Sequence, residues 1–206
     1  MNINSKNIRA ACANGRVCCW LAAALLFILP PASRADDALP PDVFTAIMLK
    51  SQNYDRNITR IAKDKVVIGI VYASGDDEGK DFASAVNGDI DKVKGAFALK
   101  GKAVEGKVMS LEKSFDRKKF EEQLSENNIS VLVLVHNASS NKEVFETTRA
   151  LQINSICNDP ACPGKGVGLG IVQRDNKPLM LVNLSSMKAE GSDYSANFLT
   201  LAEQVE

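Results

Sequence analysis

Tryptophan and histidine occur once each, as Trp20 and His136, and aromatic residues make up only 6% of the 206 residues. One histidine cannot supply the imidazole pairs of a common zinc set. No apolar stretch reaches the roughly 20 residues that a membrane-spanning helix needs. Neither charge is in excess, with 25 Lys and Arg against 25 Asp and Glu, so the electrostatic footprint of a nucleic-acid-binding domain is missing. Cysteine is scarce and uneven: Cys12, Cys18 and Cys19 lie in the first twenty residues, and Cys157 and Cys162 stand alone far downstream. Internal repeats and low-complexity tracts are also absent.

What is present begins with an export signature. Lys6, Arg9 and Arg16 precede the apolar run Val17 to Leu29, which is followed by Pro30, Pro31 and a small-residue site ending at Ala35. A basic start, a short apolar core and a small-x-small site describe a secretory signal peptide cleaved after Ala35. The residues before Cys18 form no lipobox, and the apolar run lies after that cysteine, which excludes lipidation there. Residues 1–35 carry four bases (Lys6, Arg9, Arg16, Arg34) and no acid, so the remaining 171 residues hold 21 bases against 25 acids. The expected organisation is a signal peptide over 1–35, a flexible lead over 36–42, and one α/β domain over 43–206 located in the periplasm. Cys157 and Cys162 would then sit in an oxidising compartment where disulfides persist.

The order of elements follows from periodicity. Pro41 can start a helix that continues through Phe44, Ile47 and Met48, with Asn53 to Asn57 breaking the pattern before Ile58 and Ile61. Val66 to Ala73 is a continuous β-branched run suited to a strand covered on both faces. Phe82, Val86, Ile90, Val93 and Phe97 recur at helical spacing up to Gly101. Ala103 to Leu111 reads as a second strand, followed by a charged helix with Phe115, Phe120 and Leu124 on one face. Ile129 to Val135 is the strongest strand, and a helix from Asn141 to Gln152 follows it. Beyond the cysteines, Val167 to Arg174 and Pro178 to Leu184 are joined by a turn too short for anything but a hairpin. Tyr194, Phe198, Leu201 and Val205 predict a terminal helix capped by Ser192. Alternating strands and helices imply right-handed crossovers. The predicted fold is α/β: one domain with a mostly parallel central sheet, helices on both faces, a C-terminal antiparallel strand pair and a docked terminal helix.

Candidate chemistry is thin. Cys157 and Cys162 enclose Asn158-Asp159-Pro160-Ala161, which is neither a C-x-x-C redox motif nor half of a zinc ribbon; the spacing reads as a disulfide across a turn, a structural staple or a redox-sensitive latch. Gly164, Gly166, Gly168 and Gly170 fit no phosphate-binding fingerprint, because they lead from a turn into a strand, where glycine marks a bulge or a close backbone approach. His136 ends the strongest strand, where parallel sheets present ligand-binding groups. Asp76-Asp77-Glu78 follows another strand end and reads first as a helix cap. Tyr54-Asp55-Arg56-Asn57 packs an aromatic, an acid and a base together as an interface or pocket element. No nucleophile, base and oxyanion hole assemble, so the expectation is a protein without enzymatic activity or cofactor.

Gly166 to Val205, "GVGLGIVQRDNKPLMLVNLSSMKAEGSDYSANFLTLAEQV", resembles the C-terminal third of the YfiR family of periplasmic proteins, and "YDRN" with the following "VVIGIVY" is similar to one branch of it. The segment from Phe82 to Val104 is longer than the family link, and one cysteine pair stands where the best-known member has two. The resemblance implies a regulatory binding protein, a homodimer that modulates an inner-membrane sensor such as a diguanylate cyclase in cyclic-di-GMP signalling and is relieved by an outer-membrane lipoprotein. Asn183, at the end of the shared hairpin, joins Tyr54 to Asn57 and His136 as a candidate interface residue on this basis. A second reading, from the sheet alone, is a small-ligand receptor using the strand ends near Ser74 to Glu78 and His136 to Ser139.

Overall fold

The computed structural model describes residues 39–205; the expected signal peptide lies outside the described residues. Eight strands form one sheet, β1 (Lys65–Ala73), β2 (Ala98–Leu99), β3 (Lys102–Leu111), β4 (Ile129–Leu134), β5 (Asn154–Cys157), β6 (Leu169–Arg174), β7 (Lys177–Val182) and β8 (Glu203–Gln204). Their order across the sheet is β2-β3-β1-β4-β5-β6-β7-β8. The five strands from β3 to β6 run parallel, β2 and β7 are antiparallel to their inner neighbours, and β8 adds in parallel outside β7. The parallel core therefore leaves β1 in both directions, to β3 on one side and to β4 on the other. The α/β class and the closing antiparallel pair agree with the sequence reading.

Alternation of side chains explains why the central strands are apolar without interruption. In β1, Val66, Ile68 and Ile70 point to one face and pack with Phe44, Met48, Phe82, Val86 and Ile90 from α1 (Pro41–Gln52) and α2 (Asp77–Val93). Val67 and Val71 point to the other face, against Phe120, Leu124, Val144 and Phe145 from α3 (Arg117–Glu126) and α4 (Lys142–Leu151). Both faces are covered, so neither set can be polar. Among the described residues no helix is long and apolar enough to cross a membrane.

Four expectations need correction. The helix expected to reach Phe97 ends at Val93, and Gly101 turns a hairpin instead: Lys100 and Gly101 both have positive φ, 49° and 80°, the geometry of a two-residue turn joining β2 to β3. The segment Asn154 to Cys157, read as part of a turn, is the parallel strand β5, paired with β4 and β6. The stretch read as a flexible lead carries Leu39, which is buried, while α1 starts at Pro41 as the sequence suggested. The terminal helix is one short turn, α7 (Ala196–Leu199), capped by Ser195 rather than Ser192. Tyr194 and Phe198 are buried and stacked at 4.5 Å, but Leu201 is 61% exposed. The outer edge of β7 offers unpaired backbone, and Glu203–Gln204 fill it as β8 in place of continued helix.

Candidate functional site

The strand order from β3 to β6 reverses direction at β1, and the carboxyl ends of β1 and β4 flank that topological switch point, where open α/β sheets bind ligands. An open cleft of about 420 Å³ lies there, lined by Asp76, Glu78, His136, Asn137, Ser140, Asn158, Asp159 and Pro160. Each wall comes from the loop after one parallel strand, β1, β4 or β5. Asp76 caps α2 by accepting the Gly79 N–H at 2.9 Å through Oδ1, and its Oδ2 accepts the Asn137 side-chain amide at 2.9 Å. The Gly79 bond, the Asn137 bonds and the nearby His136 together hold the Asp76 carboxyl below the usual range.

His136 starts a 3₁₀ turn, His136–Ser140, with φ 46°. A left-handed non-glycine residue is held by its surroundings. Here its N–H donates to Asn158 Oδ1 at 2.9 Å, its carbonyl accepts the Ser139 hydroxyl at 2.6 Å, and its ring lies 5.6 Å from that of Phe82. The Ser139 oxygen also lies 3.1 Å from Asp159 Oδ2, a second acceptor for its one proton, and Asp159 Oδ1 accepts the Ala161 N–H at 2.8 Å. The loops after β4 and β5 are therefore tied to each other, and Asn137 ties them to the loop after β1.

The Cys157–Cys162 disulfide closes the third loop at its base, from the last residue of β5 to the first residue of the short helix α5 (Cys162–Lys165). The glycines that follow are close approaches rather than a phosphate cradle. A Cβ on Gly168 would meet Glu190 Oε2 at 2.8 Å, and one on Gly170 would meet Pro163 Cγ at 2.7 Å.

Of the residues singled out in the sequence, the structure brings Asp76, Glu78 and His136 into the cleft, with Asn137 from the same strand-end stretch as His136. Tyr54 to Asn57 follow α1 and clasp the C-terminal segment. Asp55, 2% exposed, accepts the N–H groups of Asn57 and Asp193 at 2.9 Å each. Arg56 pairs with Asp193 at 3.2 Å, Asn57 donates to the Gly191 carbonyl at 3.0 Å, and the Tyr54 carbonyl accepts the Ser195 N–H. Asn183 caps α6 (Leu184–Ala189) through the Ser186 N–H and donates to the Pro163 carbonyl at 2.9 Å. The cleft residues Ser140, Asn158, Asp159 and Pro160 were missed because β5 was not recognised as a strand. The short run Ile153 to Cys157 between a helix end and the cysteine turn was the available signal.

A smaller hollow of about 200 Å³ sits at the end of β3, between Leu111, Phe115 and Phe120. Among the described residues no group of three or more His, Cys, Asp or Glu side chains gathers to hold a metal.

No family model and no curated protein matches the chain. Solved structures do. A conserved domain protein from Vibrio cholerae superposes with TM-score 0.55 at 12% identity, over 81% of this chain and 60% of that one. An open, ligand-free substrate-binding protein with adhesive properties from Clostridium difficile gives 0.50 at 17% identity, over 73% and 57%. An ABC domain from Streptococcus pneumonia, solved in complex with L-Trp, gives 0.50 at 12% identity, over 77% and 61%. At these identities the likeness is one of fold, and the chain spans about three fifths of the length of the structures it matches.

Proposed function

We propose that this chain is an exported binding protein without enzymatic activity, which takes a small polar ligand in the cleft at the ends of β1, β4 and β5. The observation that carries the reading is the coincidence of that cleft with the topological switch point of the parallel sheet. The fold shared with a substrate-binding protein and with an L-Trp-bound domain supports it.

The lining chooses the ligand's charge. Three carboxylates, Asp76, Glu78 and Asp159, face the cleft with His136, two asparagines and a serine, and no Lys or Arg lines it. A phosphate or carboxylate would meet acceptors without a countercharge, which is costly. A neutral polyol or an ammonium-bearing molecule would be matched by these groups. Thermal unfolding against a panel of amines, polyols, carboxylates and phosphates tests this. A ligand at 100 times its Kd adds about 2.7 kcal/mol of stability, and the Asp159→Ala variant should lose the response. A midpoint that moves with none of the panel, or only with anions, overturns the proposal.

A second reading is regulation of an inner-membrane sensor by direct contact, as the YfiR resemblance implies. It is favoured by one observation: the two segments that carry the resemblance, residues 54–57 and 166–205, touch through the Asp55, Arg56 and Asn57 bonds to Gly191 and Asp193. Affinity capture from envelope membranes distinguishes the readings. Retention of a diguanylate cyclase sensor supports regulation, and retention of no membrane protein removes it.

A further inference from the structure

Glu190 lies at the end of α6, far in function from the cleft, and is 1% exposed. Its Oε2 accepts the Ser155 N–H at 3.0 Å, and its Oε1 lies 2.5 Å from the Ser155 hydroxyl and 2.9 Å from that of Thr148. Thr148 Oγ1 is also 2.9 Å from the Phe145 carbonyl. A hydroxyl has one proton to donate, so Thr148 cannot serve both acceptors at once. With Glu190 protonated on Oε1 every contact is made at once: the carboxyl donates to Thr148, Thr148 donates to Phe145, and Ser155 donates to Oε1 while accepting the Gly168 N–H at 3.0 Å; with it ionised, Thr148 turns its proton to Glu190 and gives up the Phe145 carbonyl.

The charged groups around it do not replace that proton. Arg149 from α4 is committed to the Gly166 carbonyl and the Ser186 hydroxyl. Arg60, from the loop after α1, binds Gln152 and reaches only the backbone carbonyl of Glu190, at 3.5 Å. Tyr194 from the C-terminal segment is a buried phenol that burial holds in its neutral form. Among the described residues Glu190 joins no ion pair. Its exit for a proton is a polar cavity of about 10 Å³ that it shares with Asp55, Arg60, Asn154 and Ser192. Asn154 Oδ1 and Ser192 Oγ are buried without a protein partner.

We infer that Glu190 is a proton-operated latch: protonated, it fastens α6 and the C-terminal segment to α4 and β5, and its ionisation, with the proton released to solvent, loosens that junction. Burial pushes the carboxyl up to about 7, against the opposing bonds from Ser155 and Thr148. The folded state then holds a proton that the unfolded chain releases above about pH 4.5. The stabilising contribution is complete below that pH, declines as pH rises toward about 7, and is gone above it. β5 continues into the disulfide loop that walls the cleft, so the latch and the cleft share one strand.

Urea unfolding of the purified protein and of Glu190→Gln, from pH 5 to pH 8, tests the latch. The native protein's unfolding constant should rise up to tenfold per pH unit relative to the variant's between pH 5 and 7, then run parallel to it. His136, the single histidine, is present in both proteins and cancels from the difference. Parallel profiles throughout the range overturn the inference. Should the variant not fold, carboxyl-carbon NMR of the native protein decides. A glutamate with a midpoint near 7 supports the latch, and midpoints all below about 5.5 refute it.

Discussion

Asp55 and Arg56 are neighbours that face the same partner segment, yet their energetic roles differ. Asp55 is buried, and its Oδ1 satisfies two backbone donors, the N–H groups of Asn57 and Asp193. Removing it leaves both without an acceptor, so Asp55→Ala should cost about 2–3 kcal/mol in urea unfolding. The Arg56–Asp193 pair has both side chains at least half exposed, and water screens it; Arg56→Ala should cost under about 1 kcal/mol. Equal losses from the two variants would show that the clasp works by charge and not by backbone satisfaction. The sequence marked "YDRN" as a group with a purpose, but it could not reveal which member turns inward. That depends on a segment more than 130 residues away.

At the scale of elements, the loop after β5 and the C-terminal segment make separate predictions. The disulfide closes a short loop that carries Asn158, Asp159 and Pro160, and in the chain-entropy account such a loop is worth roughly 2 kcal/mol. The Cys157→Ser, Cys162→Ser double variant should lose about that much in urea unfolding and bind the ligand proposed for the cleft more weakly, because the wall bonded to His136 is freed. Unchanged affinity with lowered stability would reduce the disulfide to a staple. In the C-terminal segment, Phe198→Ala should cost about 3–5 kcal/mol as a buried aromatic truncation, whereas Leu201→Ser should stay within about 0.5 kcal/mol, since Leu201 faces solvent. A large loss at Leu201 would restore the amphipathic helix that the spacing predicted. That spacing misled because four apolar residues at helical intervals say nothing about a vacant sheet edge beside them.

For the whole molecule, the proposed export has a direct optical test. Trp20, the only tryptophan, lies in residues 1–35, so if the sequence is exported and cleaved after Ala35, as proposed, the purified protein should show tyrosine emission without a tryptophan band. A tryptophan band in intact, purified material would mean that the segment is retained. The parallel core of the fold was legible because strands buried on both faces must be apolar throughout, and Val66 to Ala73 and Ile129 to Val135 carry that requirement in their composition. Helix starts were legible at Asp76 and Asn141, whose side chains cap the next turn by local chemistry. The position of His136 at a strand end was legible for the same reason. Three outcomes belonged to the tertiary structure alone: the strand state of Asn154 to Cys157, the cleft wall supplied by the loop after β5, and the burial of Glu190. Each depends on partners distant in the chain. Four residues become a central strand only between β4 and β6, and a glutamate that reads as solvent-facing becomes a buried acid only when α4, β5 and α6 close around it.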